Sequence, residues 1–298
     1  MKSIDTNEVS KWIQKNIDSF HKKRIEKLDK IELKELLGRK NPYLFKAKYF
    51  VKLRDVIDLI AALLDARLSS SEETLFGDFL EDLAVFVNCE VYGGSKSSAA
   101  GIDLEFEKDD IRYIVSIKSG PNWGNSDQVA RMKRNFSQAK QRHRRSKQKV
   151  DAVNGCCYGR DNKPDKGEYL KLCGQKFWSF ISGNDDLYTD IIEPLGHEAK
   201  KRNEAFNVKR EQMINKFTKQ FTEDFCDRDG NILWEEMVRF NSEDLTKEWM
   251  TTKEAAECLN ISIGSVLKRI GEGELRAMKY GNRWLVHKSL LSGQGESK

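Results

Sequence analysis

The spacing of apolar residues along the chain changes near residue 90. Before it, Trp12, Ile13, Ile17 and Phe20 recur at helical spacing and predict a helix across residues 6–37. A second helical stripe runs from Val56 to Leu68 and is expected to stop at Ser69-Ser70-Ser71. A third carries Phe76, Phe79, Leu80, Leu83 and Val87. After residue 90 the period shortens. Val91-Tyr92 suggests a short strand, and Gly93–Gly101 is a small-residue loop. Ile102–Glu107 and Ile111–Lys118 then alternate on either side of Lys108-Asp109-Asp110, the signature of a hairpin.

Asn125 and Ser126 offer an N-cap to a helix bearing Val129, Met132, Phe136 and Ala139 on one side. Val150–Tyr158 and Tyr169–Cys173 read as further strands. Phe177–Ile181, a long run near 188–225 and Trp234–Val238 read as helices. The polar stretch Asn241-Ser242-Glu243-Asp244 marks a boundary between residues 1–244 and 245–298. Beyond it, Thr251 or Thr252 opens a short amphipathic helix, Asn260-Ile261-Ser262 turns, and a second helix carries Val266, Leu267 and Ile270. Ala277–Val286 then alternates around Tyr280-Gly281-Asn282. Two helices, a tight turn and a hairpin describe a winged helix-turn-helix, with Trp284 in the core of the wing.

Composition narrows the class. With 33% charged residues, 39% hydrophobic residues and 4 prolines in 298 residues, the chain is neither collagen-like, Pro-rich nor mainly disordered. No stretch approaches the roughly 20 apolar residues that span a bilayer, so no membrane partner is expected. Six cysteines show no zinc spacing and read as buried thiols of a cytoplasmic protein. The formal charge of +5 conceals its own distribution. Gln128–Val150 holds no acid but nine Lys and Arg, among them Arg131, Lys133, Arg134, Arg144, Arg145 and Lys147. The remainder of the chain therefore carries −4 net, and the basic segment is suited to a localised polyanion contact.

Period-two alternation sets Ile102, Leu104 and Phe106 against Asp103, Glu105 and Glu107, and Tyr113, Val115 and Ile117 against Ser116 and Lys118. If the apolar faces coincide, Asp103 and Lys118 share the polar side. A carboxylate beside a lysine suits metal-assisted phosphodiester cleavage. Mg²⁺ on the carboxylate stabilises phosphate charge and lowers the pKa of a bound water, which the lysine orients or deprotonates. The same pattern is also that of a solvated hairpin.

Gly101-Ile102-Asp103, twelve residues, then Ser116-Ile117-Lys118-Ser119-Gly120 resembles the PD-(D/E)XK nuclease motif. Phe76-Gly77, Tyr158-Gly159, Gly174-Gln175-Lys176-Phe177-Trp178-Ser179 and Asp229-Gly230-Asn231-Ile232-Leu233-Trp234 resemble, in the same order, type II restriction endonucleases that cut interrupted palindromes of the GG-N-CC kind. The resemblance implies a mixed α/β sheet flanked by helices. It makes Asp103 the metal-binding aspartate, Lys118 the catalytic lysine and the Ile117 carbonyl a metal ligand. Ser116 occupies the acid position of the motif, and serine is a poor Mg²⁺ ligand. Glu81, Asp127 and Glu105 are candidates to replace it, Glu81 foremost because the resembling enzymes also carry an acid on the preceding helix. Asn122 and Trp123 lie in the loop after Lys118, Asn122 as a base contact and Trp123 as packing. Arg131, Lys133 and Arg134 are expected on phosphates, and His143 on the surface.

Residues 247–291 resemble the excisionase and MerR-like DNA-binding group. That match implies a recognition helix with Ser262, Gly264, Ser265, Lys268 and Arg269 toward a groove, and a wing bearing Lys279, Asn282 and Arg283. The expectation is a Mg²⁺-dependent type II restriction endonuclease, without organic cofactor, cutting both strands of duplex DNA at a palindromic site as a homodimer. The long helices at 6–68 and 188–225 are interface candidates. The alternatives are a non-catalytic DNA-binding regulator on a degenerate nuclease fold, and a structure-selective repair nuclease.

Overall fold

Asp109 and Asp110 close the hairpin as a two-residue turn with both φ angles positive, +50° and +59°. That is the geometry whose twist matches paired strands. It joins β1 (Leu104–Lys108) to β2 (Ile111–Lys118) in antiparallel register, with Leu104 opposite Val115 and Phe106 opposite Tyr113. In this computed structural model, which describes residues 3–38, 41–48, 53–143, 148–197, 199–242, 249–280 and 283–288, β2 also pairs in parallel with β3 (Lys149–Cys156), and β3 with β4 (Leu170–Cys173). The result is a four-stranded mixed sheet in the order β1-β2-β3-β4. A parallel pair needs a crossover, and α5 (Ser126–Arg142) supplies it. Asn125 caps α5 in a full capping box with Gln128.

Helices cover both faces of the sheet. Leu104, Phe106, Val115, Ile117 and Val153 pack with Ile13 and Ile17 of α1 (Thr6–Asp29), with Leu83 and Val87 of α4 (Leu53–Tyr92), and with Phe177, Trp178 and Ile181 of α6 (Gln175–Ser182). Ile114 and Ala152, on the opposite face, pack under Met132, Phe136 and Ala139 of α5. Two expectations change here. The β2 part of the hairpin's polar side, with the buried Ser116, lies on the face covered by α5, whereas Glu107 of β1 stays exposed. Ile102 precedes β1 and joins the α5 cluster, not the Leu104–Phe106 face.

The serine triplet does not break the helix. α4 runs unbroken for 40 residues, through Ser69–Ser71 and through the expected strand Val91-Tyr92, and ends at Gly93 with φ +70°. Serine costs only some tenths of a kcal/mol per helical position, and the buried Leu68 and Leu75 on either side hold the segment. The expected helix at 6–37 is instead interrupted, giving α1 and α2 (Leu33–Gly38), and α3 (Pro42–Lys48) follows. The run near 188–225 resolves into α7 (Leu187–Asp190), α8 (Ile192–Gly196) and α9 (Ala199–Phe225), with α10 (Trp234–Ser242) after it.

Backbone contacts divide the chain into two compact units, Met1–Lys27 with Ser69–Phe206, and Leu28–Leu68 with Asn207–Lys298. The first holds the mixed sheet. Within the second, the C-terminal segment has its own small core of Met250, Ala255, Ala256, Val266, Ile270 and Val286, with Trp284 against it. There β5 (Trp249–Thr251), β6 (Ala277–Tyr280) and β7 (Arg283–His287) form an antiparallel sheet beside α11 (Thr252–Leu259) and α12 (Ile263–Gly271). Thr251 and Glu254 form the capping box of α11, and Asn260 turns the chain at φ +51°. Leu267 of α12 lies outside this core and is 43% exposed.

Cys156, Cys157 and Cys173 are buried thiols as expected, but Cys89 and Cys258 are exposed. No helix among the described residues is long and apolar enough to cross a membrane.

Candidate active site

Asp103 sits one residue ahead of β1, where its backbone N–H still donates to the Val115 carbonyl at 2.8 Å. That anchor aims its side chain across the end of β2. The Ile117 N–H donates to Asp103 Oδ2 at 2.6 Å, the Ser116 hydroxyl lies 3.4 Å from the same oxygen, and Lys118 Nζ lies 3.6 Å from it. Lys118 Nζ also donates to the Ile117 carbonyl at 2.6 Å and stands 5.6 Å from the centre of the Trp123 ring. The structure thus brings Asp103, Ser116, Ile117 and Lys118 together in one partly buried group.

Two residues near this group, one bonded to it and one to the neighbouring Glu81, carry no signal in the apolar pattern. Asn154 is 1% exposed on β3, directly opposite Ser116. Its Nδ2 donates to the Ser116 carbonyl at 3.2 Å, and its Oδ1 accepts from Trp123 Nε1 at 3.1 Å. Trp123 is therefore held at both its N–H and its ring face, in keeping with a packing role. Lys96, in the loop after α4, is the second. Its Nζ lies 3.5 Å from Glu81 Oε1 and 2.9 Å from Asp82 Oδ1.

Glu81 lies half-buried on α4. Burial pushes its carboxyl above the ordinary carboxylate range, and the Asp103 charge pushes it further, while Lys96 and Lys118 pull it back. The two carboxylates therefore feel one another, and both feel Lys118. Beneath them the Cys157 thiol is pushed up to about 12, mainly by desolvation and then by Glu81.

The other candidate acids are placed differently. Glu105 is engaged by the Ser97 hydroxyl at 2.5 Å, His143 Nε2 at 3.4 Å and Arg112 at 3.5 Å, which occupies its charge away from Lys118. His143, expected on the surface, is drawn in by that contact. Asp127 is exposed in the first turn of α5, where a carboxylate complements the helix dipole.

The ends of the strands are packed tightly around the group. A Cβ on Gly120 would stand 2.4 Å from the Tyr158 ring, and one on Gly174 (φ +55°) 2.7 Å from the Gly159 carbonyl. Glycine is the residue that admits such approaches. Gly77 of α4 passes Ser119, whose hydroxyl oxygen would lie 3.3 Å from a Cβ there. Three of the glycines in the sequence motifs, Gly77, Gly159 and Gly174, thus lie around the ends of β2 and β3.

Among the described residues, no group of three or more His, Cys, Asp or Glu is arranged to hold a metal ion. Two mutually repelling carboxylates and a backbone carbonyl are nonetheless an oxygen-only set. Mg²⁺ takes one or two carboxylates and completes its shell with water, so the residues present fit that ion.

Of the expected DNA contacts, Asn122, Arg131 and Arg134 are exposed, whereas Lys133 pairs with Glu168 at 3.3 Å. Arg144, Arg145 and Lys147 of the basic run lie outside the described residues, as does Asn282, and so do the side chains of Lys279 and Arg283. On α12, Ser262 caps the helix by accepting from Ser265 N–H at 3.1 Å, and Ser265, Lys268 and Arg269 are exposed.

A mixed sheet between helices, with an aspartate and a lysine at one strand end and a helix-turn-helix at the C-terminus, defines a nuclease of the restriction-endonuclease-like class. A family model described as type II restriction endonuclease EcoO109I matches residues 7–203, and a helix-turn-helix domain model matches residues 249–292. The first match spans more than half of the chain, which therefore belongs to the EcoO109I family of type II restriction endonucleases. No curated protein matches the chain.

Proposed function

We propose that the protein hydrolyses phosphodiester bonds in both strands of duplex DNA at a specific palindromic site, with Mg²⁺ as its cofactor. The observation that carries this reading is the convergence of Asp103 and Lys118 at 3.6 Å, with a carboxyl, Glu81, whose proton affinity is raised first by burial and then by the Asp103 charge. Asp103, Glu81 and the Ile117 carbonyl would hold the ion. When bound, it supplies positive charge to the phosphate being cleaved.

The chain's own residues do the rest. The Ile117 N–H fixes the Asp103 carboxylate. Ser116, buried in the motif's acid position, leaves the second carboxylate to Glu81. Lys118 is held between Asp103, the Ile117 carbonyl and the Trp123 ring, so its ammonium meets the attacking water or the developing negative charge in a set geometry. Arg131, Lys133 and Arg134 neutralise phosphates, and Asn122 reaches toward bases. Ser262, Ser265, Lys268, Arg269, Lys279 and Arg283 place the winged unit on duplex DNA.

The same reading divides the chain into a nuclease domain (1–244) and a winged domain (245–298). It makes the protein a cytoplasmic homodimer, because a palindromic site mirrors a protein two-fold axis.

Incubating plasmid with the protein and Mg²⁺ tests this proposal. Discrete fragments support it. The buried Ser116 in place of an acid favours a second reading, a DNA-binding regulator that does not cut; retardation of intact DNA would support that one. A smear would point instead to a nuclease without sequence choice.

A further inference from the structure

Helix α12 carries two large aliphatic side chains that its core does not take. Val266 and Ile270 face inward, whereas Ile263 is 46% and Leu267 is 43% exposed. Four residues apart, they stack on one face of the helix. Single exposed aliphatic residues are ordinary. A stacked pair at the head of the second helix of a helix-turn-helix is a pattern, because that end of a recognition helix meets base edges.

The surroundings favour a nucleic-acid partner. The hydroxyls of Ser262 and Ser265 share a hydrogen bond of 2.9 Å beside the pair, and Lys268 and Arg269 follow, both exposed. No acid lies within α12 itself; Glu272 and Glu274 just after it stand 3.7 Å from Lys268 Nζ and 3.7 Å from Arg269 Nε, surface pairs that phosphates can displace. Gly264, between the two serines, presents bare backbone. A Cβ there would have only the Ser262 hydroxyl oxygen within 4 Å, at 3.7 Å, so the helix can approach a surface closely.

What the first turn lacks is equally informative. Residues 262–267 are Ser, Ile, Gly, Ser, Val and Leu, with no Arg, Lys, Asn, Gln, Asp or Glu. None of the bidentate pairings that read guanine or adenine is open to it. The major groove presents one apolar group, the 5-methyl of thymine, and that is what an exposed Ile–Leu face complements.

We propose that Ile263 and Leu267 form a thymine-methyl-reading site, which selects T·A pairs at one or two fixed positions of a duplex while Lys268 and Arg269 hold phosphates. This rests on the winged unit binding DNA and adds which base it reads. Sequence choice by the winged unit then comes through methyl contact rather than through a hydrogen-bond code.

The test uses the full-length protein in EDTA, so that bound DNA stays intact. Duplexes are selected from a random library with the wild-type protein and with the Ile263→Ser/Leu267→Ser double variant. Sequences enriched only by the former define the motif that depends on α12. Each thymine in it is then replaced by deoxyuridine, which removes the methyl and leaves the pairing edge unchanged.

One or two replacements should each weaken wild-type binding about fourfold, the effect of one buried CH₂. The double variant should not respond to them. At those positions C·G should bind poorly, and 5-methylcytosine should recover part of the loss. Deoxyuridine tolerated everywhere by the wild-type protein would overturn the methyl-reading proposal, and that arm needs no variant. If instead no motif depends on α12, and Lys268→Ala and Arg269→Ala leave the salt dependence of binding unchanged, then the underlying DNA-binding reading fails and the aliphatic face belongs to a protein partner.

Discussion

Replacing Asn154 with alanine tests how the lysine of the site is held in place. The Asn154 side chain is 1% exposed; it donates to the Ser116 carbonyl at 3.2 Å and accepts from the Trp123 indole at 3.1 Å and, weakly, from the Cys156 thiol at 3.9 Å. Alanine leaves the Ser116 carbonyl and the Trp123 indole without the amide that joined them. A buried polar group left unpaired costs about 1–3 kcal/mol. The indole is only partly buried and can turn to water, so the expected loss is about 2–3 kcal/mol rather than twice the maximum. It should appear as a lower urea midpoint with an unchanged slope.

The functional effect should be smaller. Trp123 contributes a cation–π contact to Lys118, worth about 0.5–1 kcal/mol at a partly exposed site. The cleavage rate on bound DNA should therefore fall by no more than about fivefold. A midpoint within about 0.5 kcal/mol of wild type would refute the bridging role. Abolished cleavage at unchanged stability would show instead that Asn154 acts on the DNA itself.

Three further outcomes are expected. Glu81 has its proton affinity raised in the folded state, so its charged form destabilises the fold at neutral pH. Glu81→Gln should therefore raise thermal stability in EDTA at neutral pH, and the gain should vanish as the pH falls through the raised pKa toward the ordinary carboxylate value; a gain that grows on acidification would reverse the sign. Arg131→Ala and Arg134→Ala should each reduce the slope of log K against log salt by about 0.9 without changing the preferred sequence, as measured by fluorescence anisotropy across salt concentrations. Ser116→Asp should destabilise the protein by several kcal/mol without a divalent cation, since it buries a third carboxylate beside Asp103 and Glu81; Mg²⁺ should restore part of that, and equal unfolding midpoints with and without Mg²⁺ would count against a metal at this position.

The hairpin, the α5 cap and the pairing of Asp103 with Lys118 were legible because each is written in short-range spacing. A period of two places Asp103 and Lys118 on one side, and Asn125 with Gln128 spells a capping box. The interruption of helix 6–37 and the continuity of α4 were not legible. Three serines look like a break when read alone, and only the buried leucines flanking them show that packing outweighs propensity. The exposure of Leu267 was not legible either, because helical period alone cannot say which edge of an apolar stripe is covered. Asn154 was hidden in a strand that reads as core, since a buried amide is recognised by its partners and not by its neighbours in sequence. Glu81 could be singled out only through the resemblance to related nucleases. Its electrostatic link to Asp103 depends on where α4 passes the end of β2, a tertiary fact that no local pattern encodes.

In the proposed reaction Glu81 supplies the carboxylate that Ser116 cannot. The most direct measurement is the single-turnover cleavage of plasmid DNA in saturating Mg²⁺ by wild-type protein and by Glu81→Gln, with DNA affinity measured alongside in EDTA. The wild-type protein should give discrete fragments, and the variant should cut at least about a hundredfold more slowly, the scale of losing one electrostatic contribution to the transition state, while binding DNA as tightly. Cleavage by Glu81→Gln at the wild-type rate would contradict the assignment.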